Sequence, residues 1–473
     1  MAIGELGYAS AGELLKAFAE RSISPVEVLD ALYARADAVE PDLNAFSSRR
    51  TEQAYAAARA SETRWMRGEA LPLDGIPVAM KEEHAIEGET WQLGSLLFEH
   101  QIATSSHPLY ELLMRAGAVV HARTTTPEFS CTGYTHTRLW GLTKNPWNPA
   151  ISCGGSSGGS GASLAAGTTI LATGSDIGGS IRIPSSLNGV VGFKPPHGRV
   201  PTVPPYHLDT YSHEGPMGRT VRDVALMQNA IAGAHPLDHV SMRFPPVLPA
   251  EPQSVRGLRI AVARTIGDVP VDDDVEANTR AVADVLRAAG AQVAEVQVPV
   301  TREEFLTTAL IHFGTIFGAS LATMVRDHRD MLTDYAIHFH EYSTEVAAGQ
   351  SVLAGLEMES SIQARIAAVM DGFDALVCPT LTTTGWLAGD SYIDKGLEVG
   401  GQTVRRYSQA MLTLPFNIAS KHPVLAVPSG RASNGVPTGV QVVAHTYDDE
   451  MAFRVGAAIE RGLGLWSDPA WRP

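Results

Sequence analysis

Cysteine is scarce in this chain: Cys131, Cys153 and Cys378 are the whole set, and no two have paired spacing. That argues against a disulfide framework or a cysteine-held zinc, and for free thiols in a reducing compartment, so a cytoplasmic protein is expected. Basic charge is short as well. Lys and Arg number 36 against 51 Asp and Glu, the net charge is −15, and no run of five basic residues occurs. A phosphate backbone would be repelled, so no nucleic-acid partner is expected. No segment reaches the roughly eighteen consecutive apolar residues of a membrane span. The opening Met1–Phe18 lacks the basic-then-apolar order of a secretory leader. Metal spacing is missing too. His338 and His340 are two apart, on different faces of a helix, and His340-Glu341 is not followed by the second histidine of an H-E-x-x-H motif. No metal and no cofactor are expected.

What the chain does have is core. It is 44% hydrophobic and 18% charged over 473 residues, the balance of a large globule. Ser10 caps a helical run through Phe18, Ser24-Pro25 opens a second helix to about Val39, and Thr51 opens an Ala-rich third. From Leu71 the texture changes to short β-branched runs at Ile76–Met80, Ala118–Ala122, Leu258–Ala263 and Ala291–Val298. Helical patterns at Leu109–Ala116 and Asn278–Ala289 fall between them. This alternation predicts an α/β fold with a central mixed β-sheet covered by helices on both faces. Residues 236–256, rich in proline, read as a long surface connection, and 302–370 as largely helical.

Glycine and serine crowd into two places. A flexible linker would also be rich in both, but these clusters alternate with apolar segments such as Ile170–Thr173. In Asp176-Ile177-Gly178-Gly179-Ser180-Ile181-Arg182 two glycines precede a serine. Without side chains there, several N–H groups can converge on one small space, which is what an oxyanion hole requires. Standing alone, that segment is better read as a glycine turn with a capping serine. Upstream lies Gly154-Gly155-Ser156-Ser157-Gly158-Gly159-Ser160, without the lysine of a phosphate-binding loop. Further upstream, Lys81 ends the apolar run Ile76–Met80. That placement suits a lysine reaching into the sheet, though on its own an ordinary surface lysine at a strand end is the better reading.

Together, Asp74–Lys81, Gly154–Ser160 and Gly174–Pro184 resemble the defining motifs of the amidase-signature family, in order and at fitting distances. Gly189–Val200, Glu214–Val224, Leu376–Thr380 and Gly435–Val443 continue the likeness over nearly the whole chain. The resemblance implies an amidase-signature fold and one amidase domain over 1–473. Residues 71–235 would form its catalytic core and 302–410 a variable, largely helical pocket region. It implies a hydrolase of C–N amide bonds, with aryl amides, anilides, esters and carbamates or urethanes all open as substrates. Ser180 would be the nucleophile and form an acyl-enzyme. Ser156, on a cis peptide after Gly155, would bridge Ser180 to Lys81, a lysine neutral at rest. The N–H groups of Ile177, Gly178, Gly179 and Ser180 would form the oxyanion hole. Ser130, Cys131, Thr132 and Gly133 would bind substrate, with more from 302–410 and from Leu414–Asn417. The chemistry is consistent: a lysine serves as base near neutrality only where desolvation disfavours its charged form.

Two departures stand out. The family usually follows its lysine with aspartate, whereas Glu82-Glu83-His84 follows here. On a continuing strand Glu83 would share the face of Lys81 and favour its charged form, so Glu83 is expected to turn away or the strand to end. Cys153 replaces a common proline or threonine and is expected to pack, not react. Rival readings are weaker. Gly154–Gly158 matches the G-x-S-x-G nucleophile elbow, with Asp374 and His445 in the proper order, but it leaves Lys81 and 174–184 unexplained. The A-type subunit of a tRNA-dependent amidotransferase shares the relay. Such subunits carry Ser-Ser-Leu-Asp-Gln after the Gly-Arg-Val segment, where this chain reads Pro201-Thr202-Val203-Pro204-Pro205. A catalytically dead scaffold would not keep all three relay residues. The expected partner is a small amide-like substrate, with oligomeric state open and a homodimer among the choices.

Overall fold

A computed structural model describes residues 3–473; the first two residues of the expected 1–473 unit lie outside them. Helices α1 (Ala11–Ala19), α2 (Pro25–Leu43) and α3 (Thr51–Arg67) open the chain. The serines at the heads of the first two do what their sequence suggests: Ser10 and Ser24 each form a capping box, with Glu13 and Glu27.

Eleven strands then share one sheet. They are β1 (Phe46–Arg49), β2 (Pro77–Lys81), β3 (Val119–Thr124), β6 (Leu171–Ser175), β7 (Val191–Lys194), β8 (Glu214–Gly218), β9 (Arg259–Val262), β10 (Gln292–Glu295), β11 (Ala375–Pro379), β14 (Val424–Arg431) and β15 (Pro437–Ala444). Two small ribbons, β4–β5 (His136–Thr137 with Gly141–Leu142) and β12–β13 (Leu397–Val399 with Gln402–Val404), stand apart. The order across the sheet is β1-β3-β2-β6-β8-β7-β14-β15-β11-β9-β10. It is mixed: β3, β2 and β6 run parallel, as do β11, β9 and β10, and the middle is antiparallel. The expected mixed sheet is therefore present.

Both faces are covered. Along β11, Ala375 and Val377 enter one apolar core while Leu376 and Cys378 enter another. Side chains alternate across a strand, so burying both faces makes such a strand read as an unbroken apolar run. One core lies under α7 (Val221–Ile231), α8 (Asp273–Ala288) and α15 (Asp449–Leu463). The other lies under α9 (Arg302–Thr315), α10 (Phe317–Ser320), α11 (Ala322–His328), α12 (Asp334–Ala347) and α13 (Val352–Met370). The predicted helical stretch 302–370 is thus a group of five helices. The 236–256 connection carries no helix or strand. No single helix among the described residues is long and apolar enough to cross a membrane.

Some boundaries differ from the sequence reading. Helix α8 begins at Asp273, five residues before the expected Asn278. Asp272, Asp273, Asp274 and Glu276 make its first turn polar, which hides the apolar period but suits the positive end of a helix dipole. The short helices α4 (Pro108–Arg115), α5 (Gly158–Ala165), α6 (Arg182–Asn188) and α14 (Pro415–Ile418) complete the chain.

Candidate active site

Strands β2 and β6 are parallel neighbours, with Val78 opposite Leu171 and Ala79 opposite Ala172. Their C-terminal ends therefore reach the same edge of the sheet, where ligand crevices of α/β folds form. Lys81 is the last residue of β2 and Ser175 the last of β6. The turn entering α5 brings Ser156 to the same edge, just after the cis peptide bond Gly155–Ser156. Gly155 is needed there: a Cβ would stand 2.5 Å from the Tyr134 carbonyl oxygen.

Lys81 is fully buried. Its Nζ lies 2.8 Å from Ser156 Oγ, 2.7 Å from Ser175 Oγ and 2.6 Å from Glu83 Oε2. Three acceptors match the three protons of an ammonium. Glu83 Oε2 also accepts from the hydroxyls of Ser175 (2.8 Å) and Ser130 (2.9 Å). Burial would raise the Glu83 carboxyl, but the positive Lys81 outweighs it and holds the group below its usual value. The departure at this position resolves unexpectedly. The strand does end at Lys81, yet Glu83 is not turned away. A tight turn, closed by the His84 N–H on the Lys81 carbonyl (3.0 Å), swings its carboxylate back onto the lysine. Glu82 points elsewhere, accepting from the N–H groups of Gln92 and Leu93; burial pushes its carboxyl up to about 7 despite nearby Arg123.

Ser180 follows the turn that leaves β6. The turn is built on Asp176, which is fully buried and clamped by Arg182 through Nε (2.9 Å) and Nη2 (2.8 Å). Arg182 also donates to the Thr413 carbonyl, Gln441 and Asn417, so all five of its N–H donors are satisfied. Burial alone would raise the Asp176 carboxyl; the Arg182 charge and hydrogen bonds reverse this and depress it strongly. Gly179 takes a φ of 125°, and a Cβ there would meet Thr413 Oγ1 at 2.3 Å.

One of the four expected oxyanion donors needs correction. The Gly179 N–H already donates to Asp176 Oδ1 at 2.8 Å, because the Asp176 carboxylate folds back under its own turn. The N–H groups of Ile177, Gly178 and Ser180 have no hydrogen-bond partner among the described residues. Nor has Ser180 Oγ; the two serine segments are tied instead through the backbone, Ser157 N–H to Ser180 O (3.2 Å).

Ser180 and Gly178 open into a cavity of about 130 Å³. Ser130, Cys131, Thr132 and Gly133 all lie in its wall, as do Phe313, Phe339, Tyr407, Met411 and Leu414. Its charged member, Arg406, is stacked on the Tyr342 ring at 3.6 Å and bonded to His338. Of Leu414–Asn417, Leu414 faces the cavity while Asn417 supports the Asp176–Arg182 pair from behind. His338 thus belongs to the cavity wall, whereas His340 donates from Nδ1 to the Gly318 carbonyl at 2.6 Å. Cys153 is buried and its thiol is pushed up to about 12 by that burial. The rival elbow does not assemble: His445 is exposed and bonded to the Phe373 carbonyl, and Asp374 accepts from the Arg259 N–H.

One cluster has the composition of a metal site. His84, His107 and Glu214 are buried with ligand atoms within 4.8 Å of one another. The hydrogen bonds oppose that use. His107 Nδ1 accepts the Leu109 N–H (3.1 Å), which puts its proton on Nε2, the atom facing Glu214. Glu214 is further held by His84 (2.7 Å) and the Thr202 hydroxyl (2.9 Å). The set is a satisfied carboxylate with three donors.

The sequence reading missed Ser175 and the return of Glu83. Ser175 closes a run on β6 that is parallel to β2, so the pairing of those strands was the signal. Nothing in the sequence fixes the direction of the turn after Lys81.

Residues 27–453 match the Amidase family. The chain is 33% identical to the A component of the glutamyl-tRNA(Gln) amidotransferase of Chloroflexus aggregans, over 97% of each protein. Its fold is similar to that of a bacterial aryl acylamidase of the amidase signature enzymes, with a TM-score of 0.89 and 27% identity over 98% of this chain and 99% of that one. It is also similar to 6-aminohexanoate cyclic dimer hydrolase, with a TM-score of 0.83 and 25% identity over 98% of both. The fold and the motifs at its sheet edge define an α/β enzyme of carbon–nitrogen bond chemistry. The chain belongs to the amidase family.

Proposed function

We propose that this chain is a stand-alone amidase that hydrolyses amides of apolar acyl groups through an acyl-enzyme on Ser180. The whole chain acts as one unit, 71–235 supplying the relay and 302–410 most of the acyl cavity. The observation that carries the reading is the 2.8 Å contact between Lys81 Nζ and Ser156 Oγ beside an apolar cavity that opens on Ser180.

Ser180 Oγ attacks the carbonyl carbon while its proton passes to Ser156 Oγ and that of Ser156 to Lys81. Lys81 can accept only after losing a proton, and Glu83 Oε2, 2.6 Å away, is placed to take it. Charge on the carbonyl oxygen is met by the free N–H groups of Ile177, Gly178 and Ser180. The proton then returns through Ser156 to the leaving nitrogen, and water attacks the ester by the same route in reverse.

The likeness to an amidotransferase favours a second reading, the glutamyl-tRNA(Gln)-dependent enzyme's A component. Pro201–Pro205 in place of the Ser-Ser-Leu-Asp-Gln stretch, and an apolar acyl cavity, support the stand-alone enzyme instead. The purified chain should hydrolyse acetanilide without ATP, tRNA or a partner protein. Turnover that appears only with those additions would favour the amidotransferase.

A further inference from the structure

A second cavity lies on the other side of the relay. It measures about 360 Å³, and Ser130, Ile177 and Phe317 line both it and the acyl cavity. The two differ in which catalytic groups they receive. Ser180 and Gly178 face the first, whereas Ser156, Ser175 and Glu83 face the second. Resting on the reading above, this division has a chemical meaning. The acyl carbon must sit at Ser180, and the nitrogen must receive its proton from Ser156. A substituent on that nitrogen therefore extends toward the Ser156 side.

We infer that the second cavity holds the amine half of the substrate, and that the natural substrate is a secondary amide whose nitrogen carries a neutral, apolar or aromatic group. Trp91, Phe98, Phe129, Val203, Leu321 and Met324 supply its walls. None of its three carboxylates makes a demand for a cation. Glu83 is engaged by Lys81, Ser130 and Ser175, Glu214 by His84, His107 and Thr202, and Asp176 by Arg182. An apolar cavity of about 150 Å³ accepts a benzene, so this one has room for a ring and its linker. A primary amide, whose leaving group is ammonia, would leave that space empty.

The test compares N-benzylacetamide with N-methylacetamide, which share an acyl group and differ in the amine half. Equilibrium binding to the Ser180→Ala chain reads the cavity without turnover. N-benzylacetamide should bind about tenfold or more tightly than its methyl partner, the size expected for burying an added ring. Met324→Trp, and independently Val203→Trp, should bring that ratio close to one by filling the cavity from partly exposed positions. In the active chain kcat/KM should rank the two amides the same way. Equal binding of both amides, or a benzyl advantage that survives both tryptophan variants, overturns the assignment. A benzyl advantage in binding with no hydrolysis of any amide would instead sustain the cavity assignment and overturn the catalytic reading.

Discussion

His312 should make the fold lose stability as the solution turns alkaline. It lies on α9 with Nε2 2.7 Å from Asp209 and Nδ1 3.1 Å from Glu359 of α13, stacked on Tyr211 at 3.6 Å. Burial opposes the imidazolium, but the hydrogen bonds and charges of the two carboxylates outweigh it and raise the group from 6.5 to about 9. Between those values the folded chain holds a proton that the unfolded chain has released, so stability falls as pH rises. The contribution is fully present below pH 6.5 and lost by about pH 9, and the displacement corresponds to about 3 kcal/mol. His312→Gln should therefore destabilise the chain by that much more at pH 6 than at pH 9.5. Denaturant midpoints of both proteins across this range provide the assay, since the difference between them cancels all other titrations. A penalty for His312→Gln that stays constant with pH would refute the reasoning. The neighbouring Phe313 lines the acyl cavity, so KM, a property of the folded chain, should rise only as the pH passes about 9, where His312 itself loses its proton.

Other expectations follow from the same contacts. Arg182→Met strands the buried Asp176 carboxylate and should cost about 3–5 kcal/mol, measured as a lowered Tm, with hydrolysis lost as the 176–180 turn loosens. Lys81→Ala should lose most of kcat, and Lys81→Arg should not restore it, because a guanidinium accepts no proton; His445→Ala should retain turnover, since His445 is exposed and bonded to a backbone carbonyl. Glu83→Gln removes the carboxylate that is placed to take the Lys81 proton, and kcat should fall by about a hundredfold; undiminished turnover of acetanilide would count against Glu83 as the acceptor.

The parts legible in the sequence were those with short-range causes. Ser10 and Ser24 announced two helices because a cap and its glutamate partner sit three residues apart. Lys81, Ser156 and Ser180 were brought together by the family resemblance and not by any one motif, and the structure sets Lys81 Nζ 2.8 Å from Ser156 Oγ. Strands β14 and β15 were not read as strands: buried almost throughout, they carry no alternation, and Gly435–Val443 entered only as part of the family likeness. Glu83 misled for a related reason. Its distance from Lys81 depends on one turn beyond a strand end, and the carboxylate is held there by Ser130 and Ser175 from two other segments. The engagement of the Gly179 N–H has the same origin: a side chain three residues back reaches a donor that the backbone pattern alone leaves free.

The central claim is that Ser180 is the nucleophile and Ser156 its relay, and a covalent trap distinguishes them most directly. The purified chain should be treated with an apolar fluorophosphonate and digested, and the modified peptide located by mass spectrometry. One phosphonyl group should appear on Ser180, none should appear in Ser180→Ala, and labelling should slow sharply in Lys81→Ala. An adduct on Ser156 with Ser180 unmodified would contradict the account.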